Sequence, residues 1–183
     1  MDIVLIGGGT LAKFVIDILS FQPKVTILGI YDDTLKVGDN IYNIPVLGSI
    51  KDLKKTKCEN IVICIGNQNF RFRTFNDLKS IGFCFPNIIA HNAIVSSNAL
   101  ITEGCILGFN STILSGSVLG IGSCVLSNVS INHNTKIGDY TLIGVGVNIG
   151  NDCSFGDNVH VAMGKTILPH SIIKSGEYIK WED

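Results

Sequence analysis

Residues 125–148 read VLSNVS INHNTK IGDYTL IGVGVN, four consecutive six-residue units that each begin with Val or Ile. Counting in sixes from Ile131 gives Ile, Val, Leu or Phe at fifteen successive positions, from Ile89 to Ile173. A small residue holds the fifth place of most units, and Gly holds the second place of six, where it is expected to permit the turn to the next strand. Large and small residues at this spacing point inward from short strands, and three strands complete a coil. The pattern predicts a parallel β-helix of about five coils.

The repeat is confined to the second half of the chain, which separates two predicted domains. The chain has 183 residues, of which 46% are hydrophobic, so it can form two small hydrophobic cores. Residues 1–86 are one predicted domain, and residues 87–183, with a short C-terminal tail, are the other. The net charge of −1 provides no basic surface for nucleic acid or for an acidic membrane, so we predict neither partner.

The N-terminal segment and the cysteines together predict a cytoplasmic protein. The N-terminal apolar segment is interrupted by three glycines and follows no basic region, so it is predicted to be neither a signal peptide nor a membrane span. The six cysteines include no C-x-x-C pair and are predicted to be free, buried and reduced. Four histidines without clustered acidic residues predict no metal site.

Three apolar runs in the first domain each end in residues that suit a ligand site. Each run is predicted to be a strand, and helical spacing follows the first and the third runs. Strands that alternate with helices favour a small parallel sheet of Rossmann-like type, with ligands at the carboxyl ends of the strands. The runs are residues 3–6, 25–31 and 61–65, and they end in Gly7-Gly8-Gly9, Asp32-Asp33 and Gly66-Asn67.

The glycine turn is compatible with more than one nucleotide ligand. Gly7-x-Gly9-x-x-Ala12 fits the dinucleotide-binding pattern, but the domain ends near residue 86 and leaves no second mononucleotide-binding half for NAD. Bare glycine backbone at a helix N-terminus suits any nucleotide phosphate, and an aspartate can accept hydrogen bonds from a ribose or a base. A nucleotide-linked sugar is therefore favoured. Arg71, like Arg73, is a candidate phosphate partner, with a solvated surface role as the alternative. The candidate residues are Gly8, Gly9, Asp32, Asp33, Gly66, Asn67 and Arg71.

Five segments taken in order, IGGGTLAKFVIDIL, IYDD, IGNQNFR, IAHNA and NHNTKIGDY, resemble the NeuD/PglD-type sugar acetyltransferases, a group of hexapeptide-repeat acyltransferases, over nearly the whole chain. The resemblance implies a left-handed β-helix and a homotrimer. It also implies transfer of acetyl from acetyl-CoA to the amino group of a sugar, commonly a 4-amino-4,6-dideoxy sugar carried on UDP, TDP or GDP, in bacterial surface glycan biosynthesis such as that of O-antigen lipopolysaccharide. The nucleotide would lie on the N-terminal domain, and coenzyme A along the prism between subunits.

The resemblance further implies roles for residues of the repeat. His133 stands at the position of the family's general base, since an imidazole that ionises near neutral pH can take a proton from an attacking amine. Asn134 stands where the family usually has Asp or Glu, and Leu142 where many relatives have a histidine that reaches the thioester side of coenzyme A. Asn151 lies one coil beyond His133, and its backbone N–H is expected to face a developing oxyanion. The candidate acetyl-CoA residues are Leu142, Gly144, Asn151, Ala162, Met163 and Lys165.

These departures leave alternatives to N-acetylation open. One is an O-acetyltransferase of a sialic-acid-like sugar, and another is a binding or scaffold trimer that transfers acetyl weakly or not at all because of Asn134 and Leu142. Acyl donors other than acetyl are a further alternative. The last predicted unit begins at Ile173. This residue is followed by KSGEYIKWED, in place of the extra units and the basic coenzyme-binding tail of relatives.

Overall fold

The computed structural model describes residues 1–180, which divide into two compact units after Pro86. The first unit contains a five-stranded sheet, two α-helices and a short 3-10 helix. Its elements are β1 (Asp2–Ile6), α1 (Thr10–Leu19), β2 (Thr26–Tyr31), β3 (Asn40–Ile41), β4 (Ile44–Gly48), the 3-10 helix Ile50–Lys55, β5 (Ile61–Ile63) and α2 (Gln68–Ser80).

The sheet of the first unit has the strand order β3-β4-β2-β1-β5. β1 pairs in parallel with β2 and with β5, and β4 pairs in parallel with β2. β3 pairs antiparallel with β4 through a tight turn at Tyr42 and Asn43, so the sheet is mixed and not purely parallel as predicted. Because β2, β1 and β5 are parallel neighbours, the three predicted ligand segments lie at one edge of the sheet.

The core of the first unit lies on both faces of β1. Its side chains from Ile3 to Ile6 are fully buried, as expected for a strand covered on both faces. Helix α2 buries Phe75, whose ring stacks on Phe85 with centroids 4.1 Å apart. In the described part of the chain, no helix combines the length and the hydropathy needed to cross a bilayer.

The second unit begins at Asn87 and is a parallel β-helix of two-residue strands. The strands are β6 (Ile88–Ile89), β7 (Ile94–Val95), β8 (Leu100–Ile101), β9 (Ile106–Leu107), β10 (Thr112–Ile113), β11 (Val118–Leu119), β12 (Cys124–Val125), β13 (Ser130–Ile131), β14 (Lys136–Ile137), β15 (Leu142–Ile143), β16 (Asn148–Ile149), β17 (Ser154–Phe155), β18 (His160–Val161), β19 (Thr166–Ile167), β20 (Ile172–Ile173) and β21 (Tyr178–Ile179).

These strands form three parallel sheets, one on each side of the coil. Their strand orders are β7-β10-β13-β16-β19, β8-β11-β14-β17-β20 and β6-β9-β12-β15-β18-β21. Neighbouring strands are one coil apart, so Ile113 pairs with Ile131 and Ile131 with Ile149. The second residue of each strand is a predicted aliphatic position, and β21 extends the repeat one unit beyond Ile173, to Ile179.

Three corners join the sheets. Corner one comprises the turns that follow β10, β13, β16 and β19; corner two, those that follow β11, β14 and β17; corner three, those that follow β12, β15 and β18. The aliphatic positions fill the interior. The serines and threonines at the fifth place of the middle coils are buried with their hydroxyls satisfied, at residues 111, 117, 123, 135 and 141. Thr135, for example, donates to the Gly150 carbonyl at 2.9 Å and accepts from the Cys153 N–H at 3.1 Å.

The corners explain two features of the sequence. The fourth place of thirteen successive units, from Gly104 to Gly176, has a positive φ, which Gly, Asn and Asp adopt most readily. The second-place glycines serve a different purpose from the predicted turn. A Cβ at Gly138 would overlap the carbonyl group of Gly156 in the next coil, so lack of space, not backbone freedom, requires glycine there.

Candidate functional site

His133 lies in corner one, in the turn between β13 and β14. The register places Ser115 one coil before it and Asn151 one coil after it. Its side chain is exposed, and its carbonyl accepts a hydrogen bond from the Asp152 N–H at 2.9 Å. The histidine is therefore fixed by the backbone of the coil while its imidazole faces solvent.

Asn134 has a structural reason to be an asparagine, because it occupies the positive-φ place of its turn with φ 60. Its amide Nδ2 donates to Oδ1 of Asp152, 3.1 Å away in the next coil. The other carboxylate oxygen, Oδ2, accepts from Nδ2 of Asn151 and lies 4.0 Å from Nδ1 of His170. A carboxylate is thus present beside His133, although it does not belong to the adjacent residue.

The electrostatics of corner one keep that carboxylate ionised. Hydrogen bonds from Asn151 and then Asn134 hold the pKa of Asp152 below its usual value, and attraction to His170 and His133 acts in the same direction. Sequence reasoning missed Asp152. Adding the eighteen-residue coil to Asn134 gives its position, so the repeat itself held the signal.

The backbone N–H of Asn151 has no hydrogen-bond partner within residues 1–180. In corner two, the backbone N–H groups at the same third place of the unit donate to side chains one coil further on. The Ile121 N–H donates to Oδ1 of Asp139 at 2.8 Å, and the Asp139 N–H donates to Oδ1 of Asp157 at 2.9 Å. Corner one therefore presents a donor that corner two does not.

The remaining predicted acetyl-CoA residues lie away from His133. Gly144 follows β15 and Ala162 follows β18, both in corner three, and both are buried. Met163 beside them is exposed, and Lys165 is partly exposed. Leu142 is partly buried within β15 itself. The sheet of β13, β16 and β19 separates corners one and three, so one chain brings Asn151 to His133 but leaves the others at a different edge of the prism.

The first unit carries a cavity of about 430 Å³ at the carboxyl edge of its sheet. A cavity of this size falls in the range of small-molecule sites. Its lining includes the predicted Asp32, Asp33 and Asn67, but holds Gly7 where Gly8 and Gly9 were predicted. The lining residues are Gly7, Asp32, Asp33, Thr34, Ile50, Ile65, Asn67, Asn69, Phe70 and Arg73.

The two aspartates hold the walls of this cavity together. Oδ2 of Asp32 accepts from the Gly8 N–H at 2.8 Å, and its Oδ1 accepts from the Thr34 N–H at 2.7 Å. Partial burial alone would raise the pKa of Asp32, but hydrogen bonds from Thr34, Gly8 and Leu35 lower it overall. Oδ1 of Asp33 accepts from the Ile50 N–H at 2.9 Å. Much of the acceptor capacity of Asp32 is thus used within the domain, whereas Asp33 uses one oxygen.

The glycine loop leaves room for a ligand at one position. A Cβ built on Gly8 would overlap Leu35, whereas a Cβ on Gly9 would meet no atom within 4 Å. The N–H groups of Gly9, Thr10 and Leu11, at the start of α1, have no hydrogen-bond partner in the described part of the chain. Three consecutive backbone donors without partners therefore begin at the glycine that has open space beside it.

The position of Arg71 does not fit its predicted role as a phosphate partner. Its side chain is 1% exposed, and Nη1 donates to the carbonyls of Ile65 at 2.9 Å and Gly66 at 3.4 Å. A guanidinium buried in this way holds the β5–α2 loop from inside and does not reach the cavity. Asn67 caps α2 by accepting from the Phe70 N–H at 2.9 Å, and the exposed Arg73 on the same helix lines the cavity instead.

Within residues 1–180, no three His, Cys, Asp or Glu side chains lie close enough together to hold a metal ion. All six cysteines are free, and five are buried, while Cys84 is exposed and not buried as predicted. Burial raises the pKa of Cys105 to about 12, which makes its thiol unreactive.

Residues 2–78 match the family model of the PglD N-terminal domain. The whole chain has the fold of several solved structures at 19–23% sequence identity. A variant of perosamine N-acetyltransferase from Caulobacter crescentus, in complex with CoA and GDP-perosamine, aligns with a TM-score of 0.72 and 23% identity over 100% of this chain and 90% of that chain. The acetyltransferase domain of PglB from Neisseria gonorrhoeae, in complex with acetyl coenzyme A, aligns with a TM-score of 0.80 and 20% identity over 96% and 97%. WeeI from Acinetobacter baumannii aligns with a TM-score of 0.78 and 19% identity over 97% and 96%.

These likenesses confirm the predicted fold class, an α/β domain followed by a left-handed parallel β-helix. Together with the family match, they also confirm the predicted resemblance to the NeuD/PglD type.

Proposed function

We propose that this chain, whose residues 2–78 match the family model of the PglD N-terminal domain and whose fold is that of the solved sugar acetyltransferases, transfers acetyl from acetyl-CoA to an amino group of a nucleotide-linked sugar. The acceptor is a 4-amino-4,6-dideoxy sugar on UDP, TDP or GDP, and the reaction serves bacterial surface glycan synthesis in the cytoplasm. The observation that carries the proposal is the pairing in corner one of an exposed imidazole, His133, with the unpartnered N–H of Asn151.

The two groups suit the two charges that develop in acyl transfer. His133 takes the proton of the sugar amine as the nitrogen attacks the thioester carbonyl and forms the new C–N bond. The Asn151 N–H donates to the carbonyl oxygen as it becomes an oxyanion. When the C–S bond breaks, the protonated His133 returns the proton to the departing sulfur of coenzyme A. The products are the acetamido sugar and free coenzyme A.

A single chain does not complete this site, because the coenzyme candidates with accessible side chains, the exposed Met163 and the partly exposed Lys165, lie in corner three. In a homotrimer, corner three of one subunit can face corner one of the next subunit. Acetyl-CoA held at corner three of one subunit then reaches His133 at corner one of its neighbour. Light scattering tests the trimer. Co-expression of His133→Asn and Met163→Trp chains tests the shared site, since mixed trimers should regain activity that each variant lacks alone. Mixed trimers as inactive as both parents would place the whole site within one chain.

The nucleotide portion of the acceptor fits the first unit. The donors at Gly9, Thr10 and Leu11 suit a diphosphate at the N-terminus of α1, and Arg73 adds a positive charge at the rim of the cavity. Phe70 also lines the cavity and offers an exposed ring against which a base can pack. Because Gly9 has open space, Gly9→Ala should weaken nucleotide-sugar binding while the free energy of unfolding stays nearly unchanged.

The central test is the loss of the base. His133→Asn should lower kcat by roughly 100-fold, the usual scale for a general base, while calorimetry shows unchanged binding of the nucleotide sugar. His91→Asn, which removes another exposed histidine of the β-helix, is the matched control and should keep full activity. An unchanged rate in His133→Asn would remove this residue from the mechanism.

A panel of acceptors decides between the chemical alternatives. Product mass spectrometry with matched amino and hydroxy sugars, each with acetyl-CoA, separates N-acetylation from O-acetylation. A folded protein that binds no UDP-, TDP- or GDP-sugar would contradict the proposal as a whole.

A further inference from the structure

In corner one, the residues with positive φ form a column along the β-helix. Gly116, Asn134, Asp152 and His170 stack one coil apart, and their φ angles lie between 55° and 78°. Asn134 is the link between the lower and upper parts of the column. On one side, Oδ1 of Asn134 lies where a Cβ of Gly116 would be. On the other side, Nδ2 of Asn134 donates to Oδ1 of Asp152 at 3.1 Å. The amide is thus oriented with its donor towards the carboxylate.

We propose that Asp152 is the positioning residue for His133, and that its carboxylate, supplied by the next coil, does for the imidazole what an acidic residue at position 134 would otherwise do. The inference rests on the proposed function of His133. Asp152 acts in two ways. Its negative charge stabilises the imidazolium that forms when His133 takes a proton, and its two oxygens hold the side chains of Asn134, the next residue after His133, and Asn151, one coil beyond His133.

The contacts explain why one acid in the column suffices. Positions 134 and 152 are joined by a hydrogen bond between an amide donor and a carboxylate acceptor. Two carboxylates at this separation would repel each other, and two amides would leave the corner without a charge. The pair therefore accepts an acid at either position as long as the other is an amide. This gives a direct reason for asparagine beside the histidine.

Two histidines are the titratable neighbours of Asp152. His170 follows it in the column, with Nδ1 4.0 Å from Oδ2 and a side chain that is 74% exposed. His133 lies in the previous coil, where its carbonyl accepts from the Asp152 N–H, and attraction to both histidines contributes to the lowered pKa of Asp152. Protonated His170 competes with His133 for the same carboxylate, so His170→Asn should not lower activity.

The test compares three variants of the intact protein. Asp152→Asn removes the charge and keeps the shape. Asn134→Asp combined with Asp152→Asn moves the charge to position 134 and reverses the direction of the same hydrogen bond. Asp157→Asn removes a carboxylate from corner two and is the matched control for general loss of charge from the β-helix.

We expect kcat to fall about fivefold in Asp152→Asn, the scale of a solvent-screened charge interaction, with the KM for acetyl-CoA little changed. The acidic limb of the pH–kcat profile should move to lower pH, because the imidazolium loses its counter-charge. The double variant should recover most of the rate and the original limb, and Asp157→Asn should match the unmodified protein. A purely structural role for Asp152 would leave the acidic limb in place.

NMR of the His133 imidazole gives a readout that does not need activity. Its resonances should respond to pH at a lower midpoint in Asp152→Asn and at the original midpoint in the double variant. Equal midpoints in all variants would overturn the role of Asp152, whatever the reaction proves to be. A shifted midpoint in a protein that transfers no acetyl would retain the link between Asp152 and His133 and would refute the proposed function alone.

Discussion

Replacing Arg71 by methionine should destabilise the N-terminal unit, because this buried guanidinium holds two carbonyls of the loop that lines the cavity. The hydrogen bond to Ile65 is 2.9 Å long and the one to Gly66 is 3.4 Å long, so the first contributes most. Hydrogen bonds from charged groups contribute about 1.5–3 kcal/mol to the free energy of unfolding, and a buried carbonyl left without a donor costs about 1–3 kcal/mol. Methionine fills most of the apolar volume. We therefore expect the free energy of unfolding to fall by about 2–3 kcal/mol.

Urea unfolding followed by circular dichroism measures this loss, and hydrogen exchange of peptides from residues 61–80 localises it. The control is Arg73→Met, two residues further along α2, where the side chain is exposed at the cavity. It should leave the unfolding curve within about 0.5 kcal/mol of the original and weaken nucleotide-sugar binding about tenfold. If Arg71→Met unfolded at the same urea concentration as the unmodified protein and lost affinity as Arg73→Met does, Arg71 would be a ligand contact and our reasoning would be refuted.

Three further predictions concern stability and reactivity. Gly138→Ala should cost about 3 kcal/mol in a denaturation experiment, since its Cβ overlaps backbone of the next coil, and an unchanged midpoint would mean that the coils can spread. Hydrogen bonds from Lys55 and then Ser49 lower the pKa of Asp52 to about 2, so its contribution to stability is present above pH 4 and is lost as pH falls towards 2. Asp52→Asn should flatten the stability profile over that interval. Brief alkylation of the native protein should modify Cys84 alone, as judged by peptide mass spectrometry.

The β-helix could be predicted because its determinants are local and periodic. Each unit places an aliphatic residue inside, and the next coil repeats the same contacts eighteen residues later, so the spacing alone gives register and strand order. The end of the repeat was harder to predict. β21 forms because Ile179 continues the aliphatic series even though its unit, between Ile173 and Ile179, has Glu177 at the fifth place, where small residues are usual.

The mixed part of the first sheet could not be predicted from periodicity. β3 and β4 are joined by Tyr42 and Asn43, which both have positive φ, and tyrosine is not a residue that marks such a turn. β4 then pairs with β2, which is distant in sequence. Arg71 is a different case. It lies three, four and seven residues before the buried Thr74, Phe75 and Leu78, so the helical period already assigned it to the buried face.

The backbone of corner one limits which acids can serve His133. Positive φ at positions 134 and 152 favours Asn and Asp over the longer Glu, because the short side chains bond locally and tolerate this conformation. The coil spacing then couples the two positions through one hydrogen bond, which requires a donor on one side and an acceptor on the other. An aspartate at 134 with Asp152 retained would create repulsion, so Asn134→Asp alone should be less active than the double variant. If the single and double variants had equal activity, the two positions would not be coupled.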